Sequence, residues 1–169
     1  MKLRLAGRGG RLRGGLESGR VVGIAEQETT DFGKALRHID APLILGAGFM
    51  GGRLDHELAC YNALVRYPDM RCILMGGEDI CFHAPARMAL HLAPGTRVSL
   101  FPMAELRVSA TGLEWPLDNL RLAPWGRVGT SNRAVTGPVE IAPGGPGLLV
   151  ILPRAALDAA MAALSSSAR

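Results

Sequence analysis

The sequence is short of what several protein classes require. Cysteine is scarce: three in 169 residues (Cys60, Cys72, Cys81), an odd number with no C-x-x-C pair. That excludes a disulfide framework and a zinc ribbon. It leaves buried free thiols as the expectation, which suits a cytoplasmic protein. No run approaches the roughly 18 consecutive apolar residues of a membrane span. The basic N-terminus has no apolar core behind it, so neither a secretory leader nor a membrane partner is expected. There is no internal repeat. A basic stripe is missing too, although the net charge is +4 and the pI about 9.4. The first twenty residues carry +5 and the other 149 carry −1. The globular part is nearly neutral, and no nucleic-acid partner is expected.

What is present is a folded composition, 48% hydrophobic and 20% charged. Residues 1–20, MKLRLAGRGGRLRGGLESGR, hold six glycines and six basic side chains. They read either as a basic arm that meets phosphates or as a disordered lead that stands outside the fold. Residues 21–77 alternate strand and helix patterns. VVGIAE reads as a strand. A helix follows with Thr29 or Thr30 as N-cap and Asp31 in its first turn. PLILGA (42–47) is a buried strand. Residues 54–66 form a second helix, with Leu54, Leu58, Tyr61, Ala63 and Leu64 as candidate core. RCILMG (71–76) is a third strand. This βαβαβ unit predicts a parallel sheet with one edge left open.

Residues 78–153 have a different pattern. Eight short strands (DICFHA, ARMALHL, TRVSLFP, LRVSATG, LEWPLDNLRL, RVGTSN, PVEIA and GLLVILP) are separated by Pro/Gly/Asn turns at about ten-residue intervals, as in an antiparallel sandwich. Residues 154–169 read as an Ala-rich helix or a fraying tail. The expected fold class is α/β plus all-β: a partial Rossmann-like parallel domain followed by an antiparallel β-sandwich.

Four constellations carry chemistry. GAGFMG (46–51) matches G-x-G-x-x-G between a strand and a helix, the context of a dinucleotide site. However, Glu78 comes 27 positions after Gly51, where about 20 is usual. In GGRLDHE (51–57), Arg53, Asp55 and His56 fall in the first turn of a helix. Two readings stay open there: a phosphate clamp, or simple capping by Asp55. Thr30 and Asp31 open the neighbouring helix. The topology brings them to the same sheet edge, where two carboxylates and an arginine suit a magnesium-bound polyphosphate; an ordinary N-cap is the other reading. In the β region, Trp115 and the Ser131-Asn132 turn read as structural or as part of a binding site.

In order and spacing, TTDFGKAL, LGAGFMGGRLDHELA, APGTRVSLFP, SATGLEWPLDNL, GTSN and GLLVILP resemble the thiamin pyrophosphokinase (thiamine diphosphokinase) family from about Ala25 to Pro153. The family's acidic GDFDS-type loop has no counterpart here. Cys60 stands where Asn is usual, and Phe49-Met50 widens the glycine loop.

The resemblance implies an α/β domain with a thiamine-binding β-sandwich, assembled as a homodimer with active sites between subunits. The implied reaction transfers pyrophosphate from ATP to thiamine, giving thiamine diphosphate and AMP, with magnesium as cofactor. Asp31 and Asp55 would be catalytic, Asp31 also holding the metal. Thr30, Arg53, Asp55 and His56 would line the ATP phosphates. Trp115 would flank thiamine, and Ser131 and Asn132 would hydrogen-bond it. Without the acidic loop, impaired turnover is expected. The alternative is a non-catalytic thiamine-binding, dimerising remnant, and a more distant one is a dinucleotide-binding oxidoreductase.

Overall fold

The computed structural model describes residues 3–7 and 31–166. Thr30 and the strand expected over residues 21–26 lie outside them. Eleven strands form two sheets among the described residues.

The apolar run Leu43–Ala47 is β2, buried over its first four residues, as a strand covered on both faces should be. It lies parallel to β3, Cys72–Met75 (Ile44↔Cys72, Ala47↔Met75). Its other neighbour is β1, Leu3–Gly7, also parallel (Leu3↔Leu43, Gly7↔Ala47). The basic lead was expected to stand outside the fold; these five of its residues instead form the edge strand.

Between β1 and β2 comes α1, Asp31–His38, and between β2 and β3 comes α2, Leu54–Arg66. Phe32 and Leu36 of α1 and Cys60, Ala63 and Leu64 of α2 pack with Ile44, Cys72, Leu74, Cys81 and Leu149 on one face of the sheet. The three cysteines are therefore free and buried, as expected, and burial pushes the Cys72 thiol up to about 12. Two expected core positions of α2 are not core: Leu54 is 70% exposed and Leu58 53%. With Cys60, Ala63 and Leu64 turned to the sheet, the side of α2 bearing Leu54 and Leu58 meets solvent.

At Gly76-Gly77 the chain reverses into β4, Asp79–His83, which pairs antiparallel with β3 (Met75↔Ile80). The remaining strands are β5 (Met88–His91), β6 (Arg97–Pro102), β7 (Leu106–Thr111), β8 (Leu117–Leu122), β9 (Gly129–Arg133), β10 (Pro138–Pro143) and β11 (Leu148–Pro153). All eight strands expected after residue 77 are present. They do not, however, stand apart from the parallel unit. One seven-stranded mixed sheet runs β1-β2-β3-β4-β11-β6-β9, and the second sheet runs β5-β10-β7-β8. One edge of the parallel unit was expected to be left open; beyond β3 the sheet continues into β4.

The antiparallel half of the large sheet forms the sandwich with the small one. Phe82, Leu100 and Val150 from one sheet and Leu90, Val108 and Ile141 from the other share a single core. Alternation in β7, with Leu106, Val108 and Ala110 buried and Arg107 and Thr111 exposed, is what one covered face produces. Truncating a fully buried side chain here, such as Phe82, would cost about 3–5 kcal/mol.

The C-terminal segment is no fraying tail. After a 3₁₀ turn at Arg154–Ala156, α3 (Leu157–Ser166) sets Ala160, Ala163 and Leu164 into the main core. That core also holds Leu43, Leu45 and Ile73, so α3 covers the face of β2 and β3 that α1 and α2 leave.

Candidate functional site

The register fixes one edge of the large sheet strand by strand. Ala47 pairs with Met75, Met75 with Ile80, Ile80 with Leu152, Ile151 with Ser99, and Val98 with Asn132. The glycine loop after β2 and the Ser131-Asn132 segment of β9 therefore lie at the same edge.

At the β2 end, Gly51 has φ +80°, a conformation other residues resist. Its amide donates to Glu57 Oε2 at 2.9 Å, and Tyr61 Oη donates to Glu57 Oε1 at 2.6 Å. Glu57 thus staples the loop to α2. Phe49 packs on Phe32 of α1, ring centroids 4.7 Å apart and tilted by 53°. This contact draws the start of α1, where Asp31 sits, to the loop.

Arg53 is the N-cap of α2, extended at φ −64°, ψ 126°. Its Nε donates to Asp55 Oδ1 at 3.1 Å and its Nη2 to Oδ2 at 2.5 Å. Asp55 also accepts from the His56 amide. The Arg53 hydrogen bond is the main cause that holds the Asp55 carboxyl below its usual range. The fork uses two of the five guanidinium N–H donors and leaves three for another anion. Arg53, Asp55 and His56 are all exposed.

Among the described residues no three His, Cys, Asp or Glu side chains gather as a metal site. In the first turn of α2, Asp55 is engaged by Arg53, and Glu57 by Gly51 and Tyr61. The side chain of Asp31, the residue expected to hold magnesium, lies outside the described ones.

At the β9 end, Trp115 is 54% exposed, yet its backbone is held from below. Asn132, only 6% exposed, accepts the Trp115 amide (3.2 Å) and the Arg133 amide (2.9 Å) at Oδ1, and donates from Nδ2 to the Trp115 carbonyl (2.6 Å). Asn132 was expected to hydrogen-bond a substrate; here its Oδ1 and one Nδ2 hydrogen serve the chain that carries Trp115. Residues 113–116 were expected in a strand. Instead Leu113 makes a lone bridge to Ala134, and β8 starts only at Leu117, after Pro116, which has no ladder donor.

Ser131 is exposed, and its left-handed backbone, φ 62°, falls where the β6–β9 register slips. Its amide donates to Ser99 Oγ at 3.0 Å.

Several neighbours were not singled out from the sequence. The Arg133 guanidinium lies over the Trp115 ring, 6.0 Å from the centroid, and is 3.7 Å from Glu114. Arg97 pairs with Asp79 between the two ends of the edge, and Arg154 Nη1 donates to the Gly76 carbonyl at 3.0 Å. Arg97 lies within APGTRVSLFP and Arg133 directly follows GTSN, so the signal was adjacency to motifs already noted.

The two ends do not meet within one chain. From β2 to β9 is five strand spacings, roughly 24 Å at about 4.8 Å each.

Comparisons with known proteins converge. Residues 86–142 match the family model for the thiamin pyrophosphokinase vitamin B1 binding domain. Thiamine pyrophosphokinase 1 of Arabidopsis thaliana is 31% identical over 123 residues, covering 63% of this chain and 46% of its own length. Thiamine pyrophosphokinase 1 of Oryza sativa subsp. japonica is 32% identical over 123 residues, covering 63% and 47%. The chain spans about half the length of the curated relatives it matches.

Among solved structures, thiamin pyrophosphokinase from Geobacillus thermodenitrificans superposes with a TM-score of 0.65 at 24% identity, over 76% of this chain and 63% of that one. The enzyme from Bacillus subtilis gives 0.65 at 20%, over 76% and 64%. These likenesses bear out the α/β plus β-sandwich fold, and all three comparisons find similarity to thiamin pyrophosphokinases.

Proposed function

We propose that the chain transfers a pyrophosphoryl group from ATP to thiamine. The thiamine hydroxyl oxygen bonds to the β-phosphorus, the bond from that phosphorus to the α–β bridging oxygen breaks, AMP leaves, and the hydroxyl proton is released. The observation that carries this reading is that the vitamin B1 binding match, residues 86–142, contains the whole Trp115–Asn132–Arg133 knot.

Chemistry of this kind is mostly positioning and charge neutralisation. ATP enters as its magnesium complex, so the cation arrives on the substrate's own phosphates. Arg53, oriented by Asp55, and His56 at the start of α2 meet those phosphates; Asp31 and the preceding Thr30 in the sequence are the further candidates for them. Trp115 supplies the aromatic face for thiamine, and Ser131 a hydroxyl. Arg133 already covers part of that ring; a cationic thiazolium would be repelled there, so the neutral aminopyrimidine is the half that stacks.

The roughly 24 Å between the two ends supports a homodimer in which one copy's glycine loop faces the other copy's Trp115. No helix among the described residues is long and apolar enough to cross a membrane; we place the reaction in the cytoplasm, where ATP is at hand.

Thiamine binding without turnover is the second reading, favoured by the lack of a carboxylate cluster among the described residues. Incubation with magnesium, ATP and thiamine, followed by quantification of AMP and thiamine diphosphate, separates the two. Thiamine binding by calorimetry with no AMP would select the second; no binding at all would reject both.

A further inference from the structure

Asn132 stands out from the rest of the candidate site. A buried side-chain amide with two acceptor sites and two N–H donors is expensive to leave unsatisfied. Here three of its hydrogen bonds go to backbone: Trp115 N–H, Trp115 C=O and Arg133 N–H. No other side chain takes part.

Both backbone groups of Trp115 are thus served by one residue, in a stretch that has left the ladder after the Leu113–Ala134 bridge. The bridge itself is closed by Glu114 N–H to Arg133 C=O at 2.8 Å and Val135 N–H to Gly112 C=O at 2.9 Å, neither of which holds Trp115. The indole held in this way is 54% exposed. A large apolar ring displayed to solvent from a pinned backbone is pre-organised for contact, because the ordering entropy of the loop is lost on folding rather than on binding.

The same amide fixes the backbone of Arg133, whose guanidinium lies over the indole. The left-handed Ser131 turns the chain so that Asn132 points inward. The sequence order Ser-Asn-Arg therefore places an inward clamp between two outward residues.

We infer that Asn132 is a positioning residue. It presents the Trp115 indole, with Arg133 over it, as a rigid stacking surface for a flat heteroaromatic ring, and does not itself bond the ligand. The ligand half of this statement rests on the thiamine reading above; the clamp half does not.

The test uses the full chain in a Trp125→Phe background, which leaves Trp115 as the only tryptophan. Time-resolved anisotropy of Trp115, without ligand, reads the clamp. Asn132→Ala should increase the amplitude of the fast local component about twofold, and unchanged anisotropy would overturn the clamp. Asn132→Asp keeps both acceptor bonds but sets a carboxylate oxygen against the Trp115 carbonyl where Nδ2 donated, and should likewise raise the fast component. It also carries the test if circular dichroism shows Asn132→Ala to be unfolded.

Calorimetry with thiamine then reads the mode of action through a double-mutant cycle. Asn132→Ala and Trp115→Ala should each weaken binding about tenfold. Together they should weaken it by no more than about twofold beyond either alone, because Asn132 acts through Trp115. Multiplied effects, near a hundredfold, would mean that Asn132 touches thiamine directly and would overturn the inference. If the parent binds no thiamine, the functional reading fails and the ligand half with it, while the anisotropy still decides the clamp.

Discussion

Arg53 and Asp55 grip each other through two parallel hydrogen bonds, Nε to Oδ1 at 3.1 Å and Nη2 to Oδ2 at 2.5 Å, although they are only two residues apart. Side chains at that spacing do not face each other on a helix. They meet here because Arg53 is the extended N-cap, still outside the helical path that Asp55 has entered. The pair aims a guanidinium across the start of α2, beside the glycine loop.

Arg53→Lys should therefore raise the KM for ATP about tenfold, since an ammonium lacks the planar fork. Steady-state kinetics at varied ATP checks this. Because the pair is exposed, the melting temperature should stay nearly constant; an unchanged KM would remove Arg53 from the phosphate path.

Asp55→Asn should lower turnover by up to about a hundredfold, because an Arg53 that loses its orienting carboxylate misplaces the reacting phosphates, and leave thiamine affinity alone. Single-turnover measurement of AMP release, alongside thiamine calorimetry, reads the two apart. Turnover within twofold of the parent would make Asp55 a simple capping residue.

Two defective chains should rescue each other if each site takes its halves from two copies. Mixing Arg53→Gln with Trp115→Ala, after unfolding and refolding together, puts both defects into one site of each mixed dimer. Roughly a quarter of the parent activity should return if subunits pair at random. Activity no higher than that of the separate variants would place each complete site within one chain.

His83 sets a pH limit on stability. Its Nε2 accepts the Gly147 amide at 3.0 Å, so the ring is neutral with its proton on Nδ1, which is buried and finds no partner among the described residues. Burial is the main cause that lowers its pKa from 6.5; the Asp69 carboxylate opposes it. The unfolded chain therefore binds the proton more readily. The stability linked to neutral His83 is complete above about pH 6.5 and is lost as pH falls toward the depressed folded value. Melting temperatures from pH 8 down to 5 should show this fall, and His83→Gln, which keeps an acceptor for Gly147, should flatten it. Parallel curves for the two proteins would exclude His83 as the cause.

Gly112, in the SATGLEWPL motif, cannot carry a side chain. Its φ is +72°, and a Cβ there would stand 2.4 Å from the Pro138 carbonyl oxygen. Gly112→Ala should cost at least about 2 kcal/mol and lower the melting temperature by several degrees. A shift of under one degree would mean that the β7–β8 connection yields.

Much of the fold is legible because burial writes itself into period and run length. PLILGA and RCILMG read as strands because both their faces are covered, and the eight later strands stood out by their turn residues. The candidate site is only half legible. Trp115, Ser131 and Asn132 were found together, but residue type could not tell a binding amide from a clamping one. Asn132 has the same chemistry in both roles, and only the backbone passing within 2.6 Å of its Nδ2 separates them.

By itself the sequence determined the order of elements, the three buried thiols and the glycine loop at a strand-to-helix junction, because each follows from local patterning of apolar, glycine and capping residues. Tertiary structure alone decided what was long-range. It paired β11 with β4 and so continued the parallel strands into the sandwich as one sheet. It laid α3 over β2 and β3, turned Leu54 and Leu58 to solvent, and placed Arg97 against Asp79. None of these contacts lies within a helical turn or a hairpin of its partner, so no short window of sequence contains both members.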